Sequence, residues 1–198
     1  VGGNEHVKRN DWVTPEHNVT IPFTRMLAGP MDYGPGGFDN VRPDNFIPDY
    51  SSPKVMTTRC QQLAMYVIYE SPLQMLADTP SNYRKEPESL ALLSKVPTVW
   101  DETKVLGAAI GEHILVARKS GNDWWVGGLT NWNARDVDID LSFLGPGAFE
   151  AEIHRDGPNA DRVGVDYVRE VRPVSATDRL KIHLAPGGGV AIRIMRLK

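Results

Sequence analysis

The sequence predicts two unequal pieces of different class: an α/β piece over residues 1–94 and an all-β piece over residues 95–198 that reads as a small antiparallel β-sandwich. Three observations predict this. Apolar and polar residues alternate with period two through Val137, Ile139, Leu141 and Phe143, through Phe149, Ala151 and Ile153, and through Leu180, Ile182 and Leu184, as in strands with one wet face. Turn formers at residues 120–123, 145–147 and 186–189 separate these runs. Ahead of residue 94 the period is helical instead: Cys60, Leu63, Ala64, Val67, Ile68 and Ser71 fall on one helical face.

Taken in order, residues 19–28 have enough apolar side chains for a short helix, provided Pro22 sits in its first turn. Residues 30–33 are short enough for a strand. The connection that follows, with Pro43, Pro48 and Pro53, is too proline-rich for helix or central strand. The main helix is expected to start at Thr57 or Thr58, either of which can cap it, and to kink or restart at Pro72, which has no N–H to donate. A further short helix is expected over residues 87–94. In the all-β piece Trp124 and Trp125 are neighbours in one strand, so only one of them is expected to face inward. Gly187-Gly188-Gly189 reads as a hairpin turn; it has neither the Lys nor the strand-loop-helix context of a phosphate loop.

Composition narrows the function classes. A chain of 198 residues with net charge −3 and no basic stripe has no electrostatic footprint for nucleic acid, and no apolar run approaches the ~20 residues that span a bilayer. The single Cys60 cannot form an internal disulfide and is expected in the core. His6, His113, His154 and His183 have no ligand spacing and are expected at the surface or as satisfied core residues. Asn18-Val19-Thr20 is a formal glycosylation sequon of a kind that recurs by chance.

Several runs are too particular for generic loop. Val1-Gly2-Gly3-Asn4-Glu5 opens in mid-motif. Pro15-Glu16-His17-Asn18-Val19-Thr20-Ile21-Pro22-Phe23-Thr24-Arg25 and Gly29-Pro30-Met31-Asp32-Tyr33-Gly34-Pro35-Gly36 follow. Together they resemble glycoside hydrolase family 97, whose α-glucosidases and α-galactosidases carry V-x-G-x-E, P-E-H-N-x-T-x-P-F-T-R and G-P-M-D-Y-x-P-G. The resemblance continues through residues 71–78 and 96–103 to the glycines near the end. It implies that the chain is the C-terminal portion of a longer enzyme: the remnant of a (β/α)8 barrel over residues 1–94, with residues 30–33 as its last strand and the Cys60 helix as its last helix, then a C-terminal β-sandwich over 95–198. The partners implied are an oligosaccharide substrate and the missing N-terminal and barrel parts of the same polypeptide.

Glycosidic cleavage needs one carboxylic acid to protonate the leaving oxygen and a second carboxylate as base or nucleophile. The resemblance puts Glu5 at the family's general-acid position, which in calcium-dependent members also lies at the metal, so calcium is the implied cofactor of the parent. It makes Glu16, His17, Arg25 and Asp32 candidate sugar contacts. On the residues alone, Glu16 and His17 read more readily as a polar loop or helix-cap cluster, and Met31, Asp32 and Tyr33 equally as structural closure of the barrel. A hard cation wants six to eight oxygens and the second carboxylate lies elsewhere, so this chain alone is expected to be inactive. The resemblance also implies a periplasmic or secreted bacterial protein. The rival reading is a non-catalytic carbohydrate-binding or packing sandwich in which Trp124, Trp125 or Trp132 stacks on sugar rings.

Overall fold

The computed structural model describes residues 11–49 and 54–197. Its centre is a six-stranded antiparallel sheet in the order β1-β2-β3-β8-β5-β6. These strands are β1 (Glu102–Ala109), β2 (His113–Ser120), β3 (Asp123–Thr130), β5 (Phe149–Asp156), β6 (Tyr167–Val174) and β8 (Gly189–Arg196). A second sheet of two strands, β4 (Arg135–Asp140) and β7 (Arg179–Leu184), covers one face, and helices cover the other. The expected antiparallel sandwich is present, with very unequal sheets.

Among the described residues of the first part there are four α-helices: α1 (Pro15–Thr20), α2 (Arg59–Ile68), α3 (Pro80–Lys85) and α4 (Pro87–Leu93). α1 begins four residues before the expected helix because Thr14 caps it and Pro15 occupies its first turn, where a missing N–H costs nothing. Pro22 then falls in a separate 3-10 turn, Ile21–Phe23, and not inside one continuous helix. Thr58 caps α2 through the N–H of Gln61. α2 ends at Ile68, so Pro72 lies beyond it and kinks nothing.

Residues 30–33 form no strand ladder among the described residues: Tyr33 is a single bridge residue, and the Met31 N–H donates to the Glu70 carbonyl, which ties the segment to the chain after α2. Among the described residues every ladder is antiparallel and lies after residue 100, and the parallel pairing is a single bridge, Asn40 to Val55. In the all-β part, β4 ends at Asp140, and Phe143 falls in the 3-10 turn Ser142–Leu144 and not on the strand.

Two apolar clusters sandwich the large sheet. One lies against the helices and includes Leu63, Val67, Ile68, Ile114, Val116 and Trp125; the other lies against β4 and β7 and includes Trp124, Val126, Ile139, Leu180 and Ile192. Trp124 and Trp125 point to opposite faces as neighbours in a strand must, yet both are buried, because both faces are covered. This corrects the expectation that only one faces inward. The same covering buries Glu152 and His154, which alternation placed on the face away from Phe149, Ala151 and Ile153, and it buries Asp156 as well.

α2 is not amphipathic in use, since all ten of its residues are buried. It lies so close to the sheet that a Cβ on Gly189 would sit 2.7 Å from Gln61 Cα, and one on Gly127 would sit 2.9 Å from Ile68 Cγ1. The glycine run at 187–189 is likewise no hairpin: β7 pairs with β4 and β8 with β3 and β5, so the turn carries the chain from one sheet to the other. Gly187 makes that turn at φ +67°.

Candidate functional site

Glu5 lies outside the described residues. The other four candidates fall on two segments. α1 carries Glu16, half-buried, and His17, exposed, with Thr14 Oγ1 accepting the His17 N–H at 3.4 Å. Arg25 opens the 3-10 turn Arg25–Ala28 and donates to the carbonyls of Gly29 and Pro30 at 3.3 and 3.4 Å. Asp32 is exposed and lines a shallow cleft with Pro30, Met31, Ser71, Pro72 and Leu73.

What joins these segments is a buried amide that the sequence offered within a sequon and within the Pro15–Arg25 run, but not as a site residue. Asn18, in α1 beside His17, is 1% exposed. Its Oδ1 accepts the Tyr33 hydroxyl at 3.1 Å, its carbonyl accepts the Tyr69 hydroxyl at 2.8 Å, and its Nδ2 donates to Gln61 Oε1 at 3.0 Å. With both ends of its amide engaged in the core, Asn18 offers nothing to a glycosylating enzyme. Burial pushes the Tyr33 and Tyr69 hydroxyls well up, so they stay protonated donors.

Polar side chains of α2 carry the rest of the framework. Gln61 Nε2 donates to the carbonyls of Thr130 and Gly188, at 2.8 and 3.1 Å. Gln62 Oε1 accepts the N–H groups of Gly36 and Gly37. Arg59, 1% exposed, donates to Asn40 Oδ1 and the Phe38 carbonyl, pairs with Glu86 at 3.0 Å and lies over the Phe38 ring. The 36–40 segment is thereby held at Gly36, Gly37, Phe38 and Asn40 onto a helix that is itself fixed onto the sheet. No signal in the sequence marks Arg59, Gln61 and Gln62 as buried, because polar residues on a helix ordinarily face water.

At the end of β5, Asp156 is fully buried and accepts the N–H groups of Ala185 and Gly189, each at 2.9 Å. Desolvation raises its carboxyl to about 7, against the opposing pull of the Thr58 hydroxyl and those two N–H groups. Nearby His154 is buried, stacks on Tyr167 and has its imidazole held below its ordinary range, first by burial. Burial keeps the Cys60 thiol well above its usual value, so it is an inert core group.

The tryptophans proposed as sugar platforms are occupied by the protein. Trp124 and Trp125 are in the two cores, and Trp132 packs on Gly187 and under the Arg42 guanidinium. Among the described residues no three His, Cys, Asp or Glu side chains gather at one point, so these residues do not themselves fit a calcium shell.

Residues 99–195 match the family described as glycosyl-hydrolase 97 C-terminal, oligomerisation. A protein of Bacteroides thetaiotaomicron named retaining alpha-galactosidase is 49% identical over 199 residues, which cover 98% of this chain and 30% of that protein. The chain belongs to glycoside hydrolase family 97. The family 97 chain also aligns with a Streptomyces bingchenggensis protein named probable retaining alpha-galactosidase, at 34% identity over 90% of this chain and 25% of that one. The solved family 97 enzyme of Pseudoalteromonas sp. strain K8, in complex with panose, superposes with a TM-score of 0.85 at 41% identity, covering 93% of this chain and 29% of that one. The family 97 chain thus spans about a third or less of the length of these relatives.

Proposed function

We propose that this chain is the C-terminal part of a retaining α-galactosidase, made of the last elements of a (β/α)8 catalytic barrel and a β-sandwich that carries and positions them. The observation that supports this best is the 49% identity across 98% of the chain to a protein named retaining alpha-galactosidase. In a retaining enzyme two carboxyl groups about 5–5.5 Å apart act as nucleophile and as acid then base. Glu5 is assigned the acid and base role: it protonates the leaving glycosidic oxygen, then takes a proton from the water that releases the sugar. The nucleophile comes from outside this chain, so residues 1–198 alone do not turn over substrate.

Glu16, His17, Arg25 and Asp32 are assigned to sugar binding, the first two on α1 and Asp32 on the segment that the Tyr33 hydroxyl ties to it. Calcium, proposed for the parent, would draw on Glu5 and on carboxylates beyond the described residues. The sandwich is assigned to self-association as well as packing, in line with the oligomerisation named in the matching family description. A periplasmic or secreted bacterial location belongs to the same proposal. The carbohydrate-binding rival loses support, because two of its three tryptophans are core residues.

The test is the full-length enzyme and its Glu5→Gln form. The variant should lose hydrolysis of a natural α-galactoside and keep much of it on an aryl galactoside, whose leaving group needs no protonation. Equal activity of both forms on both substrates would remove Glu5 from the mechanism.

A further inference from the structure

We infer that Asn18 and Gln61 are positioning residues, which register the two segments bearing Glu16, His17 and Asp32 against the β-sandwich. The inference rests on the sugar-binding role proposed for those three. Asn18 lies one residue after His17, and Tyr33, whose hydroxyl it accepts, lies one residue after Asp32. Gln61 is the only described side chain hydrogen-bonded both to Asn18 and to backbone of the sandwich.

Hydrogen-bond polarity leaves this chain one arrangement. The carbonyls of Thr130 and Gly188 can only accept, so the Gln61 NH2 group must face them and its Oε1 must face Asn18. The Asn18 NH2 group must then face Gln61, which leaves its Oδ1 for the Tyr33 hydroxyl. Every member is buried, so a reversed or broken link leaves an unpaired polar group and shifts the segment that carries it. Pro15 of the same helix rests near Gly187, next to the Gly188 carbonyl that Gln61 holds. Displacement of about 1 Å at a positioning group can cost on the order of a hundredfold in rate, so the sandwich reaches the sugar site through these two amides.

The test uses the full-length enzyme with aryl α-galactoside and aryl α-glucoside, comparing Gln61→Met, Gln61→Glu and the far-core control Ile139→Val, with thermal unfolding of each. Below the unfolding transition, Gln61→Met should raise KM about tenfold or more, whereas Ile139→Val should keep KM within about twofold. In Gln61→Glu a protonated carboxyl can accept from Asn18 and give its hydrogen to Thr130 or Gly188, so KM should return toward wild type as pH falls. If Gln61→Met does not fold, Tyr33→Phe, which deletes one hydroxyl, takes its place under the same criterion. Lowered thermal stability with unchanged KM, and no pH dependence of KM in Gln61→Glu, would show that the amides only hold the fold. A full-length enzyme that cleaves neither glycoside would overturn the proposed function, and this inference with it.

Discussion

The buried carboxylate of Asp156 accepts the backbone N–H of Gly189 at 2.9 Å and thereby fixes the turn by which the chain passes from β7 to β8. The contact is so close that a Cβ on Gly188 would run into Asp156 Oδ2. The same turn gives the Gly188 carbonyl to Gln61 and the Gly187 carbonyl to the N–H of Thr58, so it is the place where the sandwich grips α2.

A pH dependence follows from Asp156. Its carboxyl is raised to about 7 in the folded protein from an ordinary 3.8. Between those values the unfolded chain ionises while the folded chain keeps its proton, so this group's contribution to stability falls as pH rises through that window and is level on either side. Asp156→Asn keeps an acceptor for the two N–H groups and removes the titration. Urea midpoints measured across pH 4 to 7 should therefore favour the variant increasingly toward pH 7. Parallel profiles would contradict the assignment.

Gly189→Ala should destabilise by about 1–3 kcal/mol, the usual range for overpacking, because both atoms its methyl would meet at 2.7 Å are backbone and neither can swing aside. Gly121→Ala is the comparison. It has open space around it, so its cost is limited to the left-handed backbone at φ +58°. Equal Tm values for wild type and Gly189→Ala would show that α2 does not lie as close to β8 as described.

Arg59 should not tolerate replacement by Lys. Its guanidinium serves Asn40, Phe38 and Glu86 in three directions while lying over an aromatic ring, and an ammonium cannot reproduce that planar fork. Arg59→Ala should cost about 2–6 kcal/mol in chemical denaturation, since it leaves the Asn40 and Phe38 acceptors unpaired at about 1–3 kcal/mol each, with Lys recovering less than half. Full recovery by Lys would reduce Arg59 to a point charge.

Trp124→Ala and Trp125→Ala should each cost about 3–5 kcal/mol, since the two rings fill separate cores. A sugar-stacking tryptophan would show the opposite pattern, with lost oligosaccharide binding and little change in stability.

The sequence carried the strands with one dry face and the start of α2 at Thr58, but not the Thr14 and Thr79 caps that start α1 and α3. β4 and β7 alternate visibly because only one of their faces is covered: Asp136, Asp138, Lys181 and His183 stay in water while Ile139, Leu180 and Ile182 do not. β2 and β3 show no such alternation because helices and sheet bury both their faces. Glu152 and His154, which alternate with Ala151 and Ile153, are buried for the same reason. The supports of the candidate site were the least legible part. Asn18, Arg59 and Gln61 owe their burial to partners 15 to 127 residues away in the chain, and no local pattern encodes such distances.

The most direct measurement is the anomeric configuration of the first-formed sugar, followed by proton NMR, when the full-length enzyme cleaves an aryl α-galactoside beside an aryl α-glucoside. The account predicts faster cleavage of the galactoside and release of α-galactose, with configuration retained. Initial release of β-galactose, or a clear preference for the glucoside, would contradict it.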